Sequence, residues 1–536
     1  MKDLRRITLS LAAVLALLSA GIAQAATLNS NIPAWSANPH TDVIGDLVVR
    51  VLTGTATQAA GPSNSGTPCA AEPSTTGNVQ VNCRAEDGTS PQNTQSETTV
   101  AAFGQKVVVG YNDSLVCCTP ALNFTGYSVS NDGGKTFTDE GDLPWQPNVQ
   151  PIGDPAVARD GSGNFYFTSL ALNAAGIGAH SMISFYKMPA GSSTFKLISV
   201  PVDVGGAQTA FADKDYLAVG KDASGQTHFY ITWTFFSSGS PYSPIMLTDS
   251  IDGVHWRTTM VSSASACAQG SNPVPSGGTL YVSWEESVPA GCTDVTVTAA
   301  YEKMATVDVA SAAVQAITTI APVRGSGDTI VACNNASDLR EVIETETGHD
   351  ARNFEMPNTF SWNGVLYAVW NDRPNGIGGV TTNATRIFLS YSLDGNQHWS
   401  APQVISGKLA HGVMNDRFQP WITADASGLH AAWYERVAGT PVDVLRFDKE
   451  DLSFATPTSA PSAVGTGETP ISSVTFPIVQ TNPQQDPVIS FCYMGDYTNI
   501  TSNGTTRFVT WGDNRNMVTT SAGTTENQPD VFLQTY

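Results

Sequence analysis

The chain has 536 residues, a formal net charge of −21 and only 14% charged residues, about half the usual share. With 26 Lys and Arg against 47 Asp and Glu, nothing neutralises a phosphate backbone or seats the chain on an anionic membrane surface, so nucleic-acid partners are excluded. At 41% hydrophobic content the chain is not an acidic disordered solvator either.

Residues 1–25 read as an export signal. Lys2, Arg5 and Arg6 precede an apolar run from Ile7 to Ala20, and Ala23-Gln24-Ala25 supplies an A-x-A-like cleavage site. The run is shorter than a membrane span needs, there is no Cys at the cut, and no later segment is apolar enough to insert. A secreted or periplasmic protein is expected. The signal carries a net +2 (Lys2, Arg5 and Arg6 against Asp3), which leaves −23 after removal.

All eight Cys follow the cut, and an exported chain with an even count predicts disulfides. Cys69 with Cys83, and Cys267 with Cys292, are the expected local pairs. The adjacent Cys117 and Cys118 either bridge each other or pair elsewhere. Without a Cys-x-x-Cys, and with eight scattered His, no zinc pattern exists.

Residues 26–95 form an irregular, turn-rich extension. Asp42 to Val51 is its strand candidate, and the segment is available to wrap the body or to add a ring-closing strand. From residue 96 to 536 one phrase repeats: strand, Gly or Asn turn, then a second strand ending on an aromatic. Its seven endings carry Tyr111, Phe167, Trp233, Trp284, Trp370, Trp433 and Trp511. Such a unit cannot bury its faces alone, whereas a closed ring of them removes every exposed edge. The prediction is an all-β fold, a seven-bladed β-propeller with six blades as the alternative count, preceded by an irregular N-terminal extension.

A second phrase follows some of these strands. It reads Ser130, Asp132, Gly134 and Phe137 in one copy. In the others it reads Ser250, Asp252 and Trp256, and Ser392, Asp394 and Trp399. Asp accepts backbone N–H groups across the turn, Gly permits the bend, and the aromatic packs on the blade. These phrases resemble the Asp-box, or BNR repeat, of the sialidase-like propellers. The resemblance covers residues 97–536. It implies that the boxes are structural turns, distant from the active face.

The loops after each second strand and before each first strand share the opposite face. One set holds Asp113, Glu285, Glu286, Asp372 with Arg373, Glu435 with Arg436, and Asp513 with Arg515. The other holds Asp154, Asp213, Asp215, Glu355, Asp416 with Arg417, and Asp496 with Tyr497. Two carboxylates can hydrolyse a glycoside. Clustered arginines can grip a carboxylate-bearing sugar. The resemblance implies a Tyr nucleophile with a Glu partner, which points to Tyr497 (or Tyr434) with Glu435, and a catalytic Asp, which points to Asp113 or Asp154. Arg373, Arg417, Arg436, Arg515 and Asp496 are the substrate-binding candidates. The family's Phe/Tyr-Arg-Ile-Pro phrase is absent, and residues 96–100 contain no Arg. The same Asp–Arg repetition also fits ion pairs that hold blades together.

The longest insertion lies between the fourth and fifth blades. Residues 338–346 read as a short helix over the functional face. Crowded carboxylates leave a structural calcium ion as the cofactor to consider, while no metal ligands can be assigned. Glycan recognition or processing is the expected function, by a glycoside hydrolase such as an exo-α-sialidase, by a non-catalytic binding module, or by a polysaccharide lyase using His349 or His411.

Overall fold

The computed structural model describes residues 68–536 except 74–76, 89, 91, 116–122, 174–178, 207–208, 238, 288–291, 293–299, 324–328, 333–338, 344–350, 374–383, 407–414, 438–442, 453–466, 479–485, 487–488, 490–492, 520, 522 and 524. The export segment, the strand candidate at residues 42–51, Cys117, Cys118, His349 and His411 lie outside the described residues.

Seven antiparallel sheets follow one another along the chain as seven propeller blades. Their innermost strands are Gln95–Phe103, Ala156–Arg159, Ala210–Lys221, Cys267–Ser276, Asn358–Trp362, Arg417–Asp425 and Asn499–Ser502. Each pairs with a second strand that carries one of the seven repeated aromatics, and all seven are buried. Period-two alternation explains the stacking. In the fifth blade, Leu366, Ala368 and Trp370 pack towards the fourth blade, with Met304. Val365, Tyr367 and Val369 pack towards the sixth, with Ile422 and Trp433. Each blade thus has two apolar faces, and only a ring covers both.

The extension closes that ring. Val79–Gln80 pairs with the C-terminal strand, Thr525–Thr535, as the outermost strand of the seventh blade. Cys69–Ala70 pairs with Thr138–Asp142 at the edge of the first. The Cys69–Cys83 disulfide links these two attachments, and Cys267–Cys292 ties the fourth blade to the loop beyond its second strand.

The closure is rich in buried acids. Asp139 accepts from the Cys83 and Gly141 amides (2.8 and 2.9 Å), and Asp530 accepts from Asn82 and Asn516 (2.7 Å each). Burial, reinforced by Asp113, pushes Asp139 up to about 7, and burial pushes Asp530 up to about 7. A carboxyl raised in the folded state adds stability that is complete below its ordinary value near 4 and is lost as the pH rises through 7. The melting temperature should therefore fall between pH 5 and pH 8, and Asp139→Asn should flatten that slope. A wild-type melting temperature that rises over the same interval contradicts the assignment.

Between the fourth and fifth blades, Thr329–Ala332, Leu339–Ile343 and Ala351–Arg352 form a three-stranded ribbon. The expected helix over 338–346 is thus a strand at 339–343. It contains the β-branched pair Val342 and Ile343 and has strand partners on both sides, which decides against a solitary helical turn.

The three Ser-x-Asp turns join third and fourth strands in the first, third and fifth blades. Asp132 Oδ1 accepts from the Lys135 and Thr136 amides (3.0 Å each). Asp252 Oδ1 accepts from Val254 and His255 (2.8 Å each), and Asp394 Oδ1 accepts from His398 (3.0 Å). Their aromatics pack inward: Phe137 is buried, and Trp256 meets Phe185 of the preceding blade edge-on at 5.1 Å. These turns lie at the opposite strand ends from the site below.

Candidate functional site

One backbone device recurs where the inner strands begin. In four blades the first strand carries one residue more than its partner, between Ser96 and Thr99, Asp213 and Tyr216, Gln269 and Asn272, and Phe418 and Trp421. Such a bulge bends the strand and re-aims a side chain. The bulged residues Glu97, Lys214, Gly270 and Gln419 all have left-handed φ, between 50° and 64°. Asp154, in the second blade, has φ 52°. For a non-glycine residue this costs on the order of 1–3 kcal/mol and persists only when surrounding contacts enforce it.

Those contacts converge on the ring axis. Asp496 accepts from Arg352 Nε (2.9 Å) and pairs with the Lys214 ammonium. Its backbone N–H donates to Glu97 Oε1 (3.0 Å), and Asn112 Nδ2 donates to Glu97 Oε2 (2.8 Å). The Lys214 N–H donates to Asp154 Oδ2 (2.9 Å). Aromatic rings back the two cations. The Arg352 guanidinium lies 4.7 Å from the Tyr493 ring centre, and Lys214 lies 5.2 Å from that of Phe354. Gln419 donates to the Gly495 carbonyl (2.8 Å) and ties the sixth blade to the same point.

Asp496 thus pairs with both cations, Glu97 and Asp154 are joined to it through backbone N–H groups, and all five side chains are buried. Burial, then the charges of Asp496 and Asp154, pushes the Glu97 carboxyl well above the ordinary carboxylate range, against the pull of Lys214. Burial also raises Asp154, again with Lys214 opposing. A protonated carboxyl beside an ion-paired one is the electrostatic arrangement of an acid–base pair.

Farther along the inner strands, beyond Tyr497 and lined by none of the five cluster residues, a cavity of about 330 Å³ follows the axis and is bounded by residues of all seven inner strands. Tyr216 and Trp421 line it, with ring centres 5.0 Å apart, beside Asn272 and Asn499. Tyr497 stands edge-on to Tyr216 at 6.4 Å. Its walls mix aromatic and aliphatic side chains with polar ones such as Arg159, Thr359 and Thr423 in about equal measure, at a volume within the range of small-ligand sites.

Of the residues singled out by sequence, Asp154 and Asp496 meet in the cluster. Tyr497 lies beside it, buried, with its hydroxyl donating to the Pro155 carbonyl (3.1 Å). Burial, then Glu97 and Asp154, pushes that phenol well up and keeps it protonated. Asp113 lies nearer the closure and accepts from Gln95 and from the Leu115 amide. Glu435 is held by Arg417 (2.7 Å) and by Arg446, and Arg417 also holds Glu468 (2.8 Å). Glu435, Asp448 and Glu468 bring carboxylate oxygens within 4.8 Å of one another, yet two arginines already occupy them. Arg436 pairs with Asp416 and Asp443, and Arg515 pairs with Asp513. The Arg373 backbone N–H donates to Asp372. Arg417, Arg436 and Arg515 each close on carboxylates of their own blade rather than on a shared pocket.

Sequence reasoning passed over Glu97, Lys214 and Arg352. Glu97 and Lys214 lie near the starts of their inner strands, just as Asp154 and Asp496 closely precede theirs, so position alone could have found them. Arg352 ends the ribbon insertion, for which the repeat gives no register.

No family model and no curated protein sequence matches the chain. Solved structures similar to it include the α-L-arabinofuranosidase of Fusarium graminearum, at 11% identity and a TM-score of 0.44 over 70% of this chain and 97% of that one. An α-L-arabinanase of Penicillium chrysogenum complexed with arabinobiose aligns at 12% identity and 0.42 over the same shares. A Bacillus licheniformis family-43 endo-arabinanase aligns at 12% identity and 0.28 over 59% of this chain and 97% of that one.

Proposed function

We propose that the chain is an exported glycan-processing propeller, a glycoside hydrolase whose acid and base are drawn from Glu97, Asp154 and Asp496. The observation that carries this reading is the convergence of those three carboxylates with Lys214 and Arg352 where the inner strands begin, at the head of the axis that farther along holds an aromatic-lined cavity. Glycoside hydrolysis needs a protonated acid at the leaving oxygen and an ionised carboxylate at the sugar carbon or its attacking water. Glu97 supplies the first, because its surroundings favour the neutral form. Asp496, paired with two cations, supplies the second. Tyr216 and Trp421 offer faces for a sugar ring. A sialoside is the less favoured substrate, since the cluster contains one arginine where the sialidase pattern uses three.

A non-catalytic glycan-binding module is the second reading. It is favoured by the mutual pairing of Lys214, Arg352 and Asp496, which commits these charges to one another. A panel of fluorogenic glycosides, both pyranosides and furanosides with a sialoside among them, separates the two. Turnover supports the hydrolase. Retention on immobilised glycans without turnover supports the binding module. Neither turnover nor retention overturns both.

A further inference from the structure

A second polar assembly lies between the fourth and fifth blades and takes no part in the reading above. Gln269, Glu285 and Glu302 are directly opposite one another on the first three strands of the fourth blade. Directly paired residues share a sheet face. On this strand that is the face of Ala300 and Met304, which pack on Leu366, Ala368 and Trp370 of the fifth blade. Asp372 follows Trp370 by two positions on the facing side, and Glu355 precedes the fifth blade's first strand.

The assembly is incomplete as it stands. Glu302 has 0% exposure, and neither of its carboxylate oxygens accepts a hydrogen bond. Gln269 is 3% exposed, and neither its amide oxygen nor its amide nitrogen has a partner. The charges acting on Glu302 are Glu285, Glu355 and Asp372, all of its own sign. A buried polar group left without a partner costs a few kcal/mol, and a buried charge far more. A single proton would neutralise Glu302 and still leave an unpaired carbonyl oxygen and an unpaired carboxamide.

We propose that a divalent cation, calcium by preference, binds between the fourth and fifth blades on Glu302 and the Gln269 carboxamide oxygen, beside their cross-strand neighbour Glu285, with water completing the oxygen shell and Glu355 and Asp372 adding negative charge nearby. Every donor is a hard oxygen and the set contains neither His nor Cys, which favours calcium over zinc or copper. Calcium tolerates irregular shells of six to eight oxygens, so a loosely gathered set suits it better than magnesium. The ion joins two blades and thus acts as a clamp on the ring.

The test uses the full purified chain. Elemental analysis after exchange into calcium and desalting should find about one calcium per chain that EGTA removes. Saturating calcium should raise the melting temperature by about 2 °C or more over EGTA. In Glu302→Gln that rise should vanish, while its melting temperature in EGTA equals or exceeds that of wild type, because a repelling acid is gone. An equal calcium response in wild type and Glu302→Gln overturns the proposal, and so does a wild type that retains no ion and does not respond. If Glu302→Gln yields no folded protein, terbium titration of wild type decides: Trp370 faces the site and should sensitise emission that calcium competes away, and its absence overturns the assignment.

Discussion

Asp496→Asn is expected to destabilise the fold by about 3–5 kcal/mol, read as a lower urea midpoint with unchanged slope. Asp496 is 2% exposed and pairs with both Arg352 and Lys214. The asparagine keeps the shape but removes the charge, leaving two buried cations with their desolvation uncompensated. A surface pair would be worth a fraction of this, since water would take over. The excess loss should shrink in the Asp496→Asn, Lys214→Met double variant, which removes one stranded cation. Additive losses in that cycle would show that the two side chains do not interact.

Gly495→Ala should be strongly destabilising. Gly495 has φ +92°, and a Cβ there would lie 2.6 Å from the Glu97 backbone nitrogen. The obstructing atom belongs to the bulge itself, so no side chain can swing aside. Strain and overlap together should cost roughly 2–4 kcal/mol, and any activity should fall with it, because relief requires moving Glu97. Gly504 is the control. It has φ +99° and open space where a Cβ would go, so Gly504→Ala carries backbone strain alone, on the order of 1 kcal/mol. Equal losses at the two positions would show that the approach to Glu97 is not limiting.

The ring was legible because it is periodic. Trp284, Trp370, Trp433 and Trp511 repeat a phrase whose alternation needs neighbours on both faces, and that requirement gives the architecture without coordinates. The site was only partly legible. Asp154 and Asp496 stood out as acids ahead of inner strands, but Glu97 and Lys214 reach the axis through a one-residue bulge that no pattern of apolar residues announces. Arg352 arrives from an insertion. The conspicuous Asp–Arg pairs, by contrast, are cross-strand or same-strand partners. Arg417 with Glu435, and Arg515 with Asp513, spend their charge locally. Repetition reveals scaffold well, whereas a site is found where the repeat is broken.

The central claim is that chemistry occurs at the axial carboxylate cluster through Glu97. The most direct measurement compares glycoside turnover by wild type, Glu97→Gln and Tyr497→Phe at neutral pH, with thermal unfolding followed in parallel. Glutamine matches the neutral carboxyl in charge and shape, so Glu97→Gln should stay folded, with a modest loss of stability because its NH2 cannot accept one of the two N–H groups that Glu97 receives. It cannot donate an acidic proton, so turnover should drop by roughly 10²–10⁴-fold. Tyr497→Phe should keep turnover within about tenfold, because its hydroxyl is committed to the Pro155 carbonyl. Full activity in Glu97→Gln, or activity abolished only in Tyr497→Phe, would contradict the account.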